Sequence, residues 1–190
     1  MEKVKILVVV DVQNDFIDGS LKNEEAIKVV PNIVKKINEF KGNYILVTRD
    51  THHKDYLQTK EGEKLPVEHC IYGTDGWMIN SKVAEALHNK ELREECIVEY
   101  FDKPTFASFG LMNEISAHTG TKDGNLETDI EFVGFCTDIC VVSNALIAKA
   151  DCYENGNITV DASCCAGVTP ESHKAALLTM KMCQINIINE

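Results

Sequence analysis

Cys140 lies at a position where a negatively charged sulfur would be easy to form. The apolar residues around Val133 lead into a polar turn and then into a helical pattern, and Cys140 falls on the first turn of that helix. A helix start offers unpaired backbone N–H groups and the positive end of the helix dipole, and both favour a thiolate over a neutral thiol. The sequence therefore predicts that Cys140 is a nucleophile.

A long segment from residue 49 to residue 77 holds three of the six histidines and shows no periodicity of its own. In it, Asp50 and His52 stand two residues apart directly after a predicted strand, and His69 follows further along. One carboxylate and two imidazoles form a plausible ligand set for a divalent metal. The alternative is that these histidines are ordinary polar loop residues, and the residue types alone leave both interpretations open.

Alternating strands and helices are expected to position these side chains. Residues 4–10 are β-branched and almost continuously apolar, which is typical of a strand buried on both faces of a parallel sheet. The expected strands are residues 4–10, 44–48, 96–100, 130–134, 158–160 and 185–188, and the expected helices are residues 26–40, 83–87, 110–118, 138–149 and 170–182. Residues 161–167 are expected to form a polar loop before the last helix, which Thr169 caps. This alternation predicts a three-layer α/β/α fold with a mostly parallel sheet of about six strands, in one domain that spans residues 1–190.

Three polar residues follow strands of this predicted sheet. Asp11 follows the first strand, Lys103 the third and Cys140 the fourth. In an open α/β sheet the residues just beyond the carboxyl ends of the strands converge, so a carboxylate, an ammonium and a thiol are expected in one cleft. Taken singly, each also has a structural interpretation, as a loop acid, a solvated lysine and a buried cysteine.

Composition limits the classes of function. The 190 residues carry a net charge of −11 and no cluster of Lys and Arg, which argues against a nucleic-acid partner. No apolar run approaches the length of a membrane span, which argues against a membrane partner. The eight cysteines include no C-x-x-C pair, and the first residues do not resemble a signal peptide. We therefore expect a cytoplasmic protein with reduced thiols.

Three ordered motifs resemble one known family across nearly the whole chain. They are Asp11-Val-Gln-Asn-Asp-Phe16, Lys103-Pro-Thr-Phe-Ala-Ser-Phe109 and Gly134-Phe-Cys-Thr-Asp-Ile-Cys140. The chain resembles the isochorismatase-like cysteine hydrolases and, within them, the nicotinamidases. The resemblance implies an isochorismatase-like, Rossmann-like fold and, because relatives are often dimers or larger, a homo-oligomer.

The resemblance also implies a catalytic triad of Asp11, Lys103 and Cys140. Asp11 would accept the thiol proton, Lys103 would stabilise the neighbouring negative charges, and the Cys140 sulfur would attack an amide carbonyl to form a thioester. The backbone N–H groups of Cys136 and Cys140 would form the oxyanion hole. A cis peptide bond is expected between Phe135 and Cys136.

For the histidine-bearing segment, the resemblance favours the metal interpretation. Asp50, His52 and His69 stand where nicotinamidases carry the ligands of a divalent ion, with zinc as the expected metal and iron or manganese as alternatives. In that family the ion binds the ring nitrogen of the substrate and water molecules, and it does not generate the nucleophile. The favoured reaction is hydrolysis of the small amide nicotinamide to nicotinate and ammonia, a step of pyridine nucleotide salvage.

The substrate pocket is expected to be lined by Phe16, Tyr72 and Phe135. Two positions depart from the family pattern, since Pro66 stands where an aromatic residue commonly stacks on the pyridine ring and Thr51 replaces a frequent tryptophan. These departures leave open a related hydrolase that acts on another small amide or an N-carbamoyl compound.

A thiol-based redox sensor is a more remote alternative. Cys136 and Cys140 share one predicted turn, and Cys164 and Cys165 are adjacent. However, the C-x-x-x-C spacing differs from the two-residue spacing of disulfide oxidoreductases, and a redox role explains neither Asp11 nor the lysine motif.

Overall fold

The structure is a computed structural model that describes residues 3–119, 127–152 and 156–190. Within these ranges one sheet holds six strands, which agrees with the expected number. They are β1 (Val4–Val10), β2 (Tyr44–Asp50), β3 (Ile97–Lys103), β4 (Thr128–Phe135), β5 (Gly156–Ala166) and β6 (Asn186–Ile188).

Helices connect the strands, and the last one begins where Thr169 predicts it. The Thr169 side chain accepts a hydrogen bond from Ser172 N and forms a capping box with that residue, while Pro170 occupies the first turn. The described α-helices are α1 (Asn14–Ile17), α2 (Glu24–Glu39), α3 (Lys60–Lys64), α4 (Ser81–Leu92), α5 (Phe109–His118), α6 (Val142–Asp151) and α7 (Pro170–Met182). None of them is both long and apolar enough to cross a membrane.

All the strands pair in parallel, in the order β3-β2-β1-β4-β5-β6. The order reverses between β1 and β4, where the chain runs outward on both sides. In sheets of this kind the crevice beyond the carboxyl ends of the strands at such a reversal is the usual ligand site. The sheet therefore confirms the predicted fold class and directs attention to the segments after β1 and β4.

Both faces of the sheet are covered by helices. Along β1, Ile6, Val8 and Val10 face one apolar core and Leu7 and Val9 face the other, because successive strand side chains point to opposite sides. Helices α5, α6 and α7 cover the first core, whereas α1, α2 and α4 cover the second. This double coverage explains the continuous apolar run of β1.

The expected polar loop at residues 161–167 is wrong, since β5 continues to Ala166. Its polar residues are compatible with a strand because they find partners. The buried Asp161 forms an ion pair of 2.7 Å with Lys36 on α2 and accepts hydrogen bonds from Ser163. Cys164 and Cys165 are buried and pack as small apolar side chains in the two cores.

Candidate active site

Asp11 directly follows β1, and its side chain is completely buried. Its backbone has a φ of +48°, a left-handed conformation that Asp tolerates better than most residues. The Thr48 hydroxyl on β2 donates a hydrogen bond of 2.7 Å to Asp11 Oδ1. Among the described residues, the other oxygen, Asp11 Oδ2, has no polar partner besides the Lys103 ammonium, 2.7 Å away.

Lys103 is the last residue of β3, and its side chain is only 1% exposed. Its Nζ lies 2.7 Å from Asp11 Oδ2, 3.4 Å from Asp50 Oδ1 and 3.5 Å from Cys140 Sγ. The ammonium therefore contacts the expected proton acceptor, the expected nucleophile and one expected metal ligand at the same time.

The charges of this cluster depend on each other because water is excluded. Burial alone would lower the pKa of Lys103, but the carboxylates of Asp11 and Asp50 raise it above its ordinary value, so the ammonium stays charged. Burial raises the pKa of Asp11, an effect that Lys103 opposes. Burial also opposes ionisation of Asp50, yet hydrogen bonds from its two histidine neighbours and the Lys103 ammonium hold the pKa of that carboxyl well below its usual range.

Cys140 lies in a π-helical turn, Thr137–Val141, that leads from β4 into α6. The turn starts close to β1, because Gly134 pairs with Val10 and has a φ of +120°. A Cβ atom at Gly134 would collide with the backbone oxygen of Val10, so only glycine permits this approach. The peptide bond between Phe135 and Cys136 is cis, as expected.

The surroundings of Cys140 oppose ionisation of its thiol. Burial of the thiol, together with the Asp11 carboxylate, raises the pKa of Cys140 well above its usual range, and the Lys103 ammonium offsets this only in part. Desolvation of the charged sulfur outweighs the favourable position at a helix start. Because its pKa is raised, the Cys140 thiol needs a base to remove its proton, which is the role expected of Asp11.

The expected oxyanion-hole residues lie in the same turn. The Cys136 carbonyl accepts hydrogen bonds from Ile139 N and Val141 N at 3.1 and 3.0 Å. The Cys136 N–H, in contrast, has no acceptor among the residues that the structure describes. Because an unpaired backbone N–H is costly away from water, this group is a natural donor to a bound ligand.

The structure brings Asp50, His52 and His69 together as a buried cluster whose ligand atoms lie within 4.8 Å of one another. His52 Nε2 lies 3.0 Å from Asp50 Oδ2, and His69 Nε2 lies 3.4 Å from the same oxygen. The Val67 carbonyl holds His69 Nδ1 at 2.8 Å, which leaves Nε2 directed at the cluster. The Tyr56 ring packs against both imidazoles, with centroids 4.6 and 4.9 Å away. This donor set and its supporting contacts fit a divalent ion.

Glu61 is a neighbour of this cluster that sequence reasoning missed. Its Oε1 lies 3.7 Å from His52 Nε2 and 3.9 Å from His69 Nε2. An acidic residue in a polar segment carries no distinguishing pattern, and only the short helix α3 brings it to the two imidazoles. Glu61 adds a second carboxylate within reach of an ion at this position.

Gln13 fixes the end of β2, which carries Asp50, to the segment that contains Trp77. The buried amide Nε2 donates to the Asp50 carbonyl at 2.8 Å and to the Trp77 carbonyl at 2.9 Å, and Oε1 accepts from Asp50 N at 2.7 Å. Nearby, Asp15 Oδ2 accepts from Cys70 N at 2.7 Å, next to the second histidine of the cluster. Both residues belong to the first sequence motif, so their positions were visible in the sequence but their partners were not.

The three expected pocket residues lie in different environments. Phe16 contacts the His69 ring edge to face, with centroids 5.8 Å apart. Tyr72 is 59% exposed and packs on Trp77. Phe135 is fully buried in the core on the α2 side. Of the three, the structure thus brings Phe16 to the cluster of Asp50, His52 and His69, whereas Tyr72 lies at the surface and Phe135 in the core.

Trp77 occupies the space beside Thr51, one of the positions that depart from the family pattern. Its indole Nε1 donates to Thr51 Oγ1 at 2.9 Å, and the Arg49 guanidinium stacks on its ring at 4.2 Å. Pro66, the other departure, is exposed. A tryptophan from later in the chain therefore lies against the residue that follows Asp50.

The chain and its fold correspond to one known family. Residues 5–189 match the model of the isochorismatase domain, so the chain belongs to the isochorismatase family, and the predicted resemblance is confirmed. Within this family the relatives are of the nicotinamidase type, which confirms the expected enzyme class, a hydrolase of a C–N amide bond outside peptides.

The relatives span the whole chain. The nicotinamidase of Schizosaccharomyces pombe is 28% identical over 212 residues, which cover 97% of this chain and 92% of that protein. The crystal structure of a Bacillus subtilis nicotinamidase/pyrazinamidase has a TM-score of 0.79 at 23% identity and covers 98% of this chain and all of its own. A Pyrococcus horikoshii pyrazinamidase, solved in complex with zinc, has a TM-score of 0.75 at 24% identity, over 98% of this chain and 99% of its own. At these identities the two structures establish the fold.

Proposed function

We propose that the protein is a nicotinamidase, which hydrolyses nicotinamide to nicotinate and ammonia through a thioester on Cys140. The observation that carries the proposal is the position of Lys103 Nζ, 2.7 Å from Asp11 Oδ2 and 3.5 Å from Cys140 Sγ. A base, a cation and a thiol at these distances, beside a metal-type cluster, fit attack on the amide of a small ring compound. The homo-oligomer and the cytoplasmic location stay predictions.

The first half of the reaction needs a base for a thiol that is neutral at rest. Asp11 Oδ2 and Cys140 Sγ lie on the same Lys103 ammonium, at 2.7 and 3.5 Å, and burial raises the pKa of Asp11, which makes this carboxylate a stronger base. As Asp11 takes the thiol proton, Sγ attacks the amide carbon and the carbonyl oxygen becomes an oxyanion. The N–H groups of Cys136 and Cys140 stabilise this negative charge, and Lys103 stabilises the charge that remains near the sulfur and Asp11.

The second half returns the proton and releases the acid. Protonated Asp11 gives its proton to the amide nitrogen, the C–N bond breaks, and ammonia leaves a thioester on Cys140. Asp11, again a carboxylate, removes a proton from water as the water oxygen attacks the thioester carbon. The C–S bond breaks, the sulfur regains a proton, and nicotinate is released, so one amide and one water give one acid and one ammonia.

We propose that Asp50, His52 and His69 hold a divalent ion, with zinc as the first choice. When bound, such an ion supplies a Lewis-acidic position to which the ring nitrogen of a pyridine can bind. The buried carboxylate and the two imidazoles support this assignment, and Phe16, in contact with His69, supports an aromatic ligand there. The ring would then be oriented with its amide toward Cys140.

The redox alternative is weaker on physical grounds. Redox-sensing thiols react as thiolates, which requires a low pKa and access to solvent. Burial instead raises the pKa of Cys136 to about 12 and also raises the pKa of Cys140. Neither thiol therefore has the properties of a sensor.

The proposal is tested by incubating the purified protein with nicotinamide, pyrazinamide, a benzamide and an N-carbamoyl amino acid, and measuring ammonia. We expect release from the two compounds that carry a ring nitrogen and little release from benzamide, which has the same shape but no such nitrogen. Zinc, iron and manganese are added in turn after removal of metal with a chelator. Equal release from benzamide would contradict the metal-bound ring, and release from the N-carbamoyl compound alone would contradict nicotinamide as substrate.

A further inference from the structure

The structure points to a role for Asn144, a residue of α6 that stands one helical turn after Cys140. Its side chain is completely buried, although Asn is usually found at protein surfaces. Buried polar groups are retained where their hydrogen bonds are satisfied, so the partners of this amide show what it holds together.

The amide of Asn144 makes three hydrogen bonds to two separate segments. Nδ2 donates to the Cys140 carbonyl at 2.7 Å and to the Phe106 carbonyl at 3.1 Å. Oδ1 accepts from Ser108 N at 3.0 Å. Both ends of the side chain are therefore in use, and one residue connects the nucleophile turn with the loop that follows Lys103.

That loop is short and fixed at both of its ends. It leaves β3 at Lys103 and enters α5 at Ser108, which caps the helix by accepting a hydrogen bond from Leu111 N at 3.1 Å. Asn144 holds the Ser108 end against the helix of the nucleophile. Without it, the Ser108 N–H would be buried and unpaired, and the loop could shift relative to Cys140.

We propose that Asn144 is a positioning residue that maintains the relation between Lys103 and Cys140. The Asn144 amide forms no hydrogen bond with Lys103 Nζ or Cys140 Sγ. It acts through the Cys140 carbonyl and through the loop from residue 104 to residue 108. The inference rests on the proposed hydrolysis in one respect, since it assigns the 3.5 Å contact of Lys103 Nζ with Cys140 Sγ to the catalytic state. A shift of about 1 Å in such a contact can cost roughly a hundredfold in rate.

Two variants of Asn144 separate the cross-link from the bond within the helix. Asn144→Ala removes all three hydrogen bonds. Asn144→Ser leaves a hydroxyl that can still reach the Cys140 carbonyl, as Ser143 Oγ reaches the Ile139 carbonyl at 2.6 Å. The serine side chain is too short to reach the loop. Ser143→Ala is the matched control, because it removes a side-chain bond to a carbonyl of the nucleophile turn and no bond to the loop.

We expect both Asn144 variants to lower kcat by roughly tenfold to a hundredfold, with KM changed less than about threefold, since substrate binding is left intact. Ser143→Ala should keep wild-type kcat. Iodoacetamide labelling of Cys140, followed by mass spectrometry of its peptide, should slow in the Asn144 variants because the ammonium no longer supports the thiolate. Wild-type kcat in folded Asn144→Ser, or an equal loss in Ser143→Ala, would overturn the proposal.

Two measurements do not depend on the substrate, and the second of them needs no variant. If the wild-type protein hydrolyses no amide, the proposed function fails, while the labelling rate of Cys140 still tests the role of Asn144. In the wild-type protein, amide exchange at Ser108 should be as slow as in α6, although Ser108 precedes a helix. Rapid exchange at Ser108 would show that the cross-link is not maintained and would contradict the proposal.

Discussion

Two halves of the site differ in what holds them. The triad half, formed by Asp11, Lys103 and Cys140, lies at the ends of β1, β3 and β4. The metal half, formed by Asp50, His52 and His69, begins at the end of β2 but takes both histidines from the segment that connects β2 with α4. Side chains of the triad half thus depend on strand register, and those of the metal half depend on loop contacts.

Strand pairing fixes the starting points of the triad half. Gly134 on β4 pairs with Val10 on β1, so the nucleophile turn begins beside the strand that ends at Asp11. Lys103 on β3 pairs with Asp50 on β2, which puts the ammonium next to the metal half. Lys103 Nζ, 3.4 Å from Asp50 Oδ1, is the one direct ion pair between the halves in the described part of the chain.

A buried amide supports each half by side-chain hydrogen bonds. Asn144 connects the nucleophile turn with the loop after β3, and Gln13 connects the end of β2 with Trp77. The two halves are held by different contacts and meet through one lysine. Variants in the triad half should therefore leave zinc content unchanged, and variants in the metal half should leave the labelling rate of Cys140 unchanged.

The largest effect is expected for Cys140→Ala. Loss of the nucleophile should lower kcat/KM for nicotinamide by on the order of 10⁴-fold or more, because binding and the oxyanion hole alone supply little of the rate. Zinc content, measured by mass spectrometry of the metal, should be unchanged. Cys164→Ala, which also removes a buried thiol, is the control and should stay within about twofold of wild type, as the cavity left in the core affects stability instead. Undiminished ammonia release by Cys140→Ala would disprove the thioester.

A smaller but still large effect is expected for His69→Ala. Loss of one of two imidazole ligands should reduce bound zinc and lower kcat/KM by about a hundredfold, since the substrate ring loses its anchor. Iodoacetamide labelling of Cys140 should stay close to the wild-type rate. His53→Ala provides the control, because His53 is exposed and belongs to the same segment. If labelling of Cys140 slowed as much as turnover, the two halves would not be separable.

The smallest effect is expected for Gln13→Leu. The variant keeps the size of the side chain but removes three hydrogen bonds to the backbone of Asp50 and Trp77, so zinc affinity should fall by about tenfold. The neighbouring Asn14→Ala removes one exposed hydrogen bond to the Asp75 carbonyl and should leave zinc affinity unchanged. Zinc titration with a competing chelator measures both. Equal affinities in all three proteins would show that the metal half does not depend on Gln13.

Much of the fold could be predicted because local residue patterns indicate the strands and helices. The apolar run of residues 6–10 in β1 is typical of a strand buried on both faces, and Thr169 with Pro170 marks the start of α7 by capping alone. The end of β5 could not be predicted. Asp161 and Ser163 are polar, and what makes them strand residues is a lysine from α2, 125 positions earlier in the chain than Asp161.

The same division applies to the candidate site. Residue type, strand ends and motif resemblance predict six site residues, and the structure places them in one connected cluster. They are Asp11, Lys103, Cys140, Asp50, His52 and His69. The sequence does not predict a role for Glu61 or Asn144. Each reaches the cluster through helix geometry that brings distant segments together, and a lone Glu or Asn in the sequence gives no sign of that contact.

The sequence by itself determined the family, the layered sheet and the residue types available for chemistry, because apolar periodicity and ordered motifs are local properties of the chain. Only the tertiary structure decided the state of those residues. The helix start at Cys140 favours a thiolate, but burial of the thiol together with the Asp11 carboxylate raises its pKa. Burial of the thiol and the distances of Lys103 Nζ from Asp11 and Cys140 are set by packing across the sheet, and no local pattern in the sequence contains them.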